Sequence, residues 1–206
     1  MEWELLKQQD YVTTKWSGGT TTQLAIAPEG AVYADRDFLW RFSSAGVELE
    51  HSDFTPLPDY NRLISVLRGD LDMKIGEGAR FALDRMEVKS FDGGVPVESW
   101  GKCTDFNLML RKGACEGAVQ PLVLEPGTDC RWAPAVPAPQ SFTKCTAALY
   151  CVSGSVFLPE YGLTAGAGEF LLCREDGEHP VRLTSREGAE LMAAAKYWFQ
   201  QHGAIP

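Results

Sequence analysis

Short apolar runs closed by Gly, Pro, Asp or Asn recur along the whole chain, and no stretch sustains the spacing of a long amphipathic helix. That punctuation restricts the chain to a many-stranded antiparallel fold, because each short run can bury one face only by pairing with neighbours. Phe38-Leu39-Trp40-Arg41-Phe42-Ser43 alternates strictly. Phe38, Trp40 and Phe42 share one face; Leu39, Arg41 and Ser43 share the other. One face of this strand is packed while the other carries polar groups.

Leu63 to Met73 reads as strand, turn, strand, a hairpin with Gly69 free to take positive φ. Leu149 to Leu158 repeats the order around Gly154, and each copy precedes a Gly-rich turn beside an aromatic, Phe91-Asp92-Gly93 and Gly168-Glu169-Phe170. This is a faint internal repeat. A chain of 206 residues accommodates two β-barrels of about 100 residues each. Between the copies, Arg131 to Gln140 holds three prolines within six residues, which favours an extended connector belonging to the second barrel. The boundary is placed near residue 120, giving an N-terminal barrel over 1–120 that carries the site and a C-terminal barrel over 121–206. Residues 189–201 suit helix by Ala and Leu content or a closing strand by barrel logic, and the reading favours strand to about Lys196.

The repeated unit resembles a cupin, a jelly-roll-like double-stranded β-helix whose mouth often holds a metal. The cupin metal motif that this resemblance implies is two His one residue apart, then Glu, then Gly. Counting back from Gly69 puts Arg62 in the Glu position, with Pro56 and Pro58, or Thr55 and Leu57, in the His positions. A guanidinium repels a divalent ion, and none of the four offers imidazole. The expectation is an all-β, metal-free bicupin with no cofactor. His51, His179 and His202 are widely separated and read as solvated surface residues.

An Arg in a barrel mouth has another use, since its planar fork grips a carboxylate through two parallel hydrogen bonds. Arg62, with Arg41 and Ser43, can form such an anion clamp; the alternative is that Arg62 pairs with a structural carboxylate such as Asp105. A net charge of -9 argues against a nucleic-acid surface. No stretch approaches the ~20 apolar residues of a membrane span, and the acidic N-terminus lacks a signal-peptide pattern, so a cytoplasmic location is expected. Six cysteines (Cys103, Cys115, Cys130, Cys145, Cys151 and Cys173) form no Cys-x-x-Cys pair and read as small core residues, with one reactive thiol as the alternative.

Trp16-Ser17-Gly18-Gly19-Thr20-Thr21, the segment Phe38 to Ala45, Phe54 to Arg62, and Asp105 to Arg111 occur in the order seen in the HutD/Ves family, which the chain resembles over roughly residues 1–175. The resemblance implies a metal-free double cupin. It also implies a regulatory or ligand-sensing role beside histidine-degradation enzymes, toward formylated glutamate or a related intermediate; other members are linked to cold or stress responses. Two positions depart from the pattern: Gln23 stands where the family usually has an acid, and Asp59 where it usually has Gly, placing a carboxylate near the mouth.

Trp16 ahead of two glycines can stack on a planar ligand or be a core Trp beside a turn. Thr20 and Thr21 point to alternate faces, so only one faces the pocket; Thr20 is assigned to it. Over Asp105 to Arg111, Phe106, Leu108 and Leu110 fall on one face and Asp105, Asn107, Met109 and Arg111 on the other. The ligand set is therefore Trp16, Thr20, Arg41, Ser43, Arg62 and Asn107, holding a small anionic or amide-bearing metabolite. Two other functions stay open: a cofactor-independent isomerase or hydrolase with Asp105 or Asp59 as base, and a non-catalytic protein-interaction module. A homodimer through a sheet edge is compatible with the sequence.

Overall fold

The alternating runs become strands almost throughout. In the computed structural model the described residues are 2–134, 144–174 and 177–198. They hold β1 (Glu4–Leu6), β2 (Val12–Trp16), β3 (Gly19–Ala27), β4 (Trp40–Val47), β5 (His51–Asp53), β6 (Tyr60–Gly69), β7 (Asp72–Ile75), β8 (Phe81–Ala82) and β9 (Val88–Asp92). There follow β10 (Val97–Trp100), β11 (Cys103–Arg111), β12 (Cys115–Leu124), β13 (Thr128–Trp132), β14 (Lys144–Leu158), β15 (Leu163–Gly166), β16 (Phe170–Cys173), β17 (Val181–Ser185) and β18 (Ala189–Trp198). Helical structure among these residues is limited to two 3-10 turns, Gln8–Asp10 and Tyr33–Asp35.

Two units result. The N-terminal one is Gln9–Lys112; the other combines Met1–Gln8 with Gly113–Pro206. The division between Lys112 and Gly113 thus lies a few residues before the expected boundary near 120, and residues 1–8 group with the C-terminal unit. The reason for the second difference is strand pairing: β1 runs antiparallel to β16, with Leu5 opposite Leu171, and Trp3 is buried in that unit's core. Nothing in so short a segment reveals its partner.

The N-terminal unit contains a six-stranded sheet, β2-β3-β4-β11-β6-β9, and a four-stranded sheet, β5-β10-β7-β8. In the C-terminal unit the order is β1-β16-β14-β17-β13, with β18 bridging β14 and β12 and with β15 on β14. The sheets are antiparallel and do not close into continuous cylinders, a cupin-type β-sandwich. Pro121 interrupts donation in β12, which pairs only with β18 and so tolerates it.

The expected hairpin at Gly69 is not a hairpin. β6 pairs with β11 and β9, whereas β7 pairs with β10 and β8, so the chain turns a corner from one sheet to the other. Around Gly154 the corresponding stretch is a single fifteen-residue strand, β14, bulged between Cys151 and Ser153. The two glycines nevertheless share a role. Gly69 has φ +79° and Gly154 φ +71°, and a β-carbon would lie 2.2 Å from Lys102 O or 2.1 Å from Gly188 O. Each corner requires a residue with no side chain and positive φ, which is the physical content of the repeat.

Ile64, Val66, Met73, Phe91 and Cys103 form one core cluster of the N-terminal unit, and Ile26, Phe38, Tyr60 and Met109 another. Leu149, Val156, Leu158, Leu171, Leu183 and Leu191 centre the C-terminal core. Residues 189–198 form the closing strand, in agreement with the sequence reading. The proline-rich connector beyond Pro134, and His202, lie outside the described residues. All six cysteines are free, and all but the half-buried Cys130 are buried. Burial pushes the thiols of Cys103, Cys145 and Cys151 up to about 12, which leaves them protonated and unreactive as the core reading expects.

Candidate functional site

Antiparallel register aligns the polar residues of the six-stranded sheet in rows, because directly paired residues project to the same face. Arg41 on β4, Met109 on β11 and Arg62 on β6 form one row. Gln23 on β3, Ser43 and Asn107 form the next. Thr14 on β2, Thr21, Ala45 and Asp105 form the third. Apart from Gln23, these rows line a cavity of about 240 Å³, to which Tyr33, Phe54, Thr55, Ser52, Asp53 and Trp16 also contribute.

Five of the six expected ligand residues therefore meet in one place: Trp16, Arg41, Ser43, Arg62 and Asn107. Thr20 does not. It pairs with Gly46 on the opposite face of the strand, and Thr21 lines the cavity in its place. The alternation was legible, but its phase relative to the cavity depended on which neighbour β3 paired with. Asp59 is also corrected: it is exposed, is not among the lining residues, and its backbone carbonyl accepts a hydrogen bond from Lys112 N–H. Sequence reasoning missed Tyr33 and Phe54, which lie outside any alternating segment and carry no periodic signal.

Both guanidiniums are buried, Arg41 at 4% exposure and Arg62 at 7%. Arg41 Nε donates to Gln23 Oε1 at 2.8 Å and its Nη1 to Ser43 Oγ at 3.3 Å. Arg62 donates through Nε and Nη2 to Asn107 Oδ1, at 3.4 and 3.2 Å. The alternative pairing of Arg62 with Asp105 is thus replaced by a neutral partner. Among the described residues neither guanidinium forms an ion pair, and Arg41 Nη2 and Arg62 Nη1 make no hydrogen bond. Aromatic faces supply the rest of the packing. Arg41 lies 4.2 Å over the Tyr33 ring, beside Arg36 at 3.8 Å, and Arg62 lies 4.9 Å over Phe54.

Asp105 is the one buried carboxylate among the described residues. Its Oδ1 accepts the Ala45 N–H at 3.0 Å. Desolvation pushes its pKa up to about 6, although the Ala45 hydrogen bond, Arg62, Asn107 and Arg41 all favour the ionised form. Burial likewise lowers Arg41 to about 10 and lowers Arg62, with Arg36 adding repulsion to each. A guanidinium is basic enough that both stay cationic at neutral pH. The cavity therefore holds an excess of buried positive charge, an arrangement that costs solvation energy unless an anion enters.

The metal-bearing cupin site does not fit these residues: Arg62 stands at the motif's Glu position, Arg41 lines the same cavity, and a guanidinium offers a metal no lone pair. Elsewhere, His51, Asp53 and Glu98 bring potential ligand atoms within 4.8 Å of one another through the β5–β10 pairing. The reading of His51 as a lone surface residue missed that grouping, although its half-exposed ring is consistent with a surface position. Lys74 Nζ already stands 3.1 Å from Glu98 Oε1.

At the cavity mouth Trp16 is 39% exposed, and its ring lies on Gly18: a β-carbon there would come within 1.9 Å of Trp16 Cζ3. Trp16 is accordingly not a core residue. Its indole is held at the opening by a glycine that gives it room.

Solved structures share the architecture. A conserved protein of unknown function from Pseudomonas aeruginosa PAO1, PA5104, matches with TM-score 0.77 at 24% identity, covering 97% of this chain and 100% of that one. HutD from Pseudomonas fluorescens SBW25 matches with TM-score 0.71 at 19% identity, over 97% and 100%. YhhW from Escherichia coli, a bacterial pirin, matches with TM-score 0.69 at 10% identity, over 98% and 100%. No curated protein matches the sequence. The HutD family model matches residues 8–192, and with four motifs in order and a cavity built from them, the chain belongs to the HutD family.

Proposed function

We propose that the N-terminal cavity binds a small carboxylated metabolite, of the kind formylglutamate represents, and that the protein acts as a cytoplasmic sensor or regulator in histidine or related amino-acid catabolism. One observation carries this reading: two buried guanidiniums that line the same cavity are held by neutral partners, and each keeps one terminal nitrogen without a hydrogen bond. A carboxylate entering there supplies the missing charge and accepts those hydrogen bonds in a site where water competes poorly. Ser43 and Asn107 offer polar contacts to an amide or second carboxyl, and Trp16 a planar cover.

Thermal unfolding with and without ligand tests it. Formylglutamate at 100 times its dissociation constant is expected to stabilise the fold by about 2.7 kcal/mol. Arg62→Ala is expected to abolish that shift. A full response in the variant, or none in the wild type across histidine-degradation intermediates, sinks the proposal.

Asp105 favours a second reading, because a carboxyl titrating at about 6 in a cavity wall suits proton transfer. In that case the protein turns over a carboxylated compound without a cofactor, and Asp105→Asn abolishes product formation while leaving binding intact.

A further inference from the structure

We propose that Gln23 sets the charge that the N-terminal cavity demands of its occupant: by holding Arg41 through a neutral amide, it leaves two guanidiniums opposed by a single buried carboxylate, so that a dianionic acid is preferred to its monoamide. This rests on reading the cavity as an anion site. Gln23 shares a row with Ser43 and Asn107, and its Oε1 takes the Nε–H of Arg41 at 2.8 Å. That N–H edge is where a carboxylate ordinarily pairs with arginine, and a glutamate of the same length would reach it equally well. The amide therefore makes the bond without neutralising the cation.

The charged groups around the cavity are few. Arg41 and Arg62 face it, Arg36 acts on both through the shared Tyr33 neighbourhood, and Asp105 opposes them. Asp53 also lines the wall but is exposed, so water screens it. Arg41 and Arg62 against Asp105 leave one buried positive charge, and the half-buried Arg36 beside them adds a second, so a singly charged ligand leaves the balance positive. Gln23 is not itself among the lining residues. It is a positioning residue that acts through Arg41 and through the field it declines to oppose.

Glutarate and its monoamide, glutaramate, are suitable probes, because they differ in charge at nearly constant shape. Affinities are measured at pH 8, where Asp105 is ionised, for the wild type, Gln23→Glu, Gln23→Met and Arg41→Gln. The wild type is expected to bind glutarate on the order of tenfold or more tightly than glutaramate, the scale of one unit charge in a poorly screened site. In Gln23→Glu and in Arg41→Gln that ratio falls toward one, since each removes one unit of net positive charge. Gln23→Met keeps the charge but frees Arg41, so both affinities fall together and the ratio stands. A ratio unchanged in Gln23→Glu and Arg41→Gln, or a ratio that also collapses in Gln23→Met, overturns the assignment to Gln23 while leaving the anion site in place. Failure of the wild type to bind either acid overturns the anion site and this inference with it.

Discussion

Asp105 shows how one side chain can be costly to the fold and useful to the site. Its folded pKa of about 6 lies above the 3.8 of an unperturbed carboxyl, so between those values the native state binds more protons than the unfolded one. Stability is therefore lost as pH rises from about 4 to about 6, and the penalty is complete above that window. Keeping this carboxylate ionised inside the fold costs roughly 3 kcal/mol relative to the unfolded chain. Asp105→Asn keeps the acceptor for Ala45 N–H and removes the charge; it is expected to melt higher than the wild type at pH 8, with the difference closing below pH 4. Equal melting temperatures across that range would show that the buried carboxylate carries no such cost. Arg41 and Arg62 are strained in the same sense, because burial disfavours their charged forms. A group kept buried against its solvation preference marks a place prepared for a partner.

At the scale of elements, β1 is the least readable and among the most consequential. Three residues pair with β16, and Trp3 just ahead of them is 5% exposed against the C-terminal core. Trp3→Ala removes a large buried ring that the surroundings cannot fill, and is expected to cost about 3–5 kcal/mol. Denaturant unfolding measures it, and a loss under about 1 kcal/mol, typical of an exposed site, would mean that the strand is not docked in solution. The corners at Gly69 and Gly154 illustrate the converse. Their residue type was legible as a turn signal, yet the same signal produces a crossing between sheets in one unit and a bulged continuous strand in the other. The difference lies in which strands are available to pair, and that is decided far along the chain.

For the whole molecule, a net charge of -9 surrounds a cavity of opposite sign. On the proposed reading, the long-range field repels the anion that the short-range site attracts. Salt screens the first over a Debye length of about 10 Å at 0.1 M and reaches the buried arginines much less. The association rate of glutarate is therefore expected to hold or rise between about 10 and 150 mM salt, measured by stopped-flow Trp fluorescence. A steep fall, of the kind basic surfaces give, would place the binding on an exposed cationic patch instead. Among the described residues no helix is long and apolar enough to cross a membrane.

Local patterning was enough to establish an all-β protein, the position of its closing strand, and the polar faces of β4 and β11, because period-two alternation and glycine punctuation are properties of neighbouring residues. It also indicated Arg41, Ser43, Asp105 and Asn107 of the cavity wall, since each lies on the polar face of such a strand. Long-range pairing settled the remainder: Thr21 rather than Thr20 enters the cavity, Asn107 holds Arg62, Gln23 anchors Arg41, and the first strand belongs to the C-terminal unit. These are matters of register between strands distant in the chain. Pairing energy is spread over backbone bonds common to every residue, so the order of residues along one strand does not name the strand beside it.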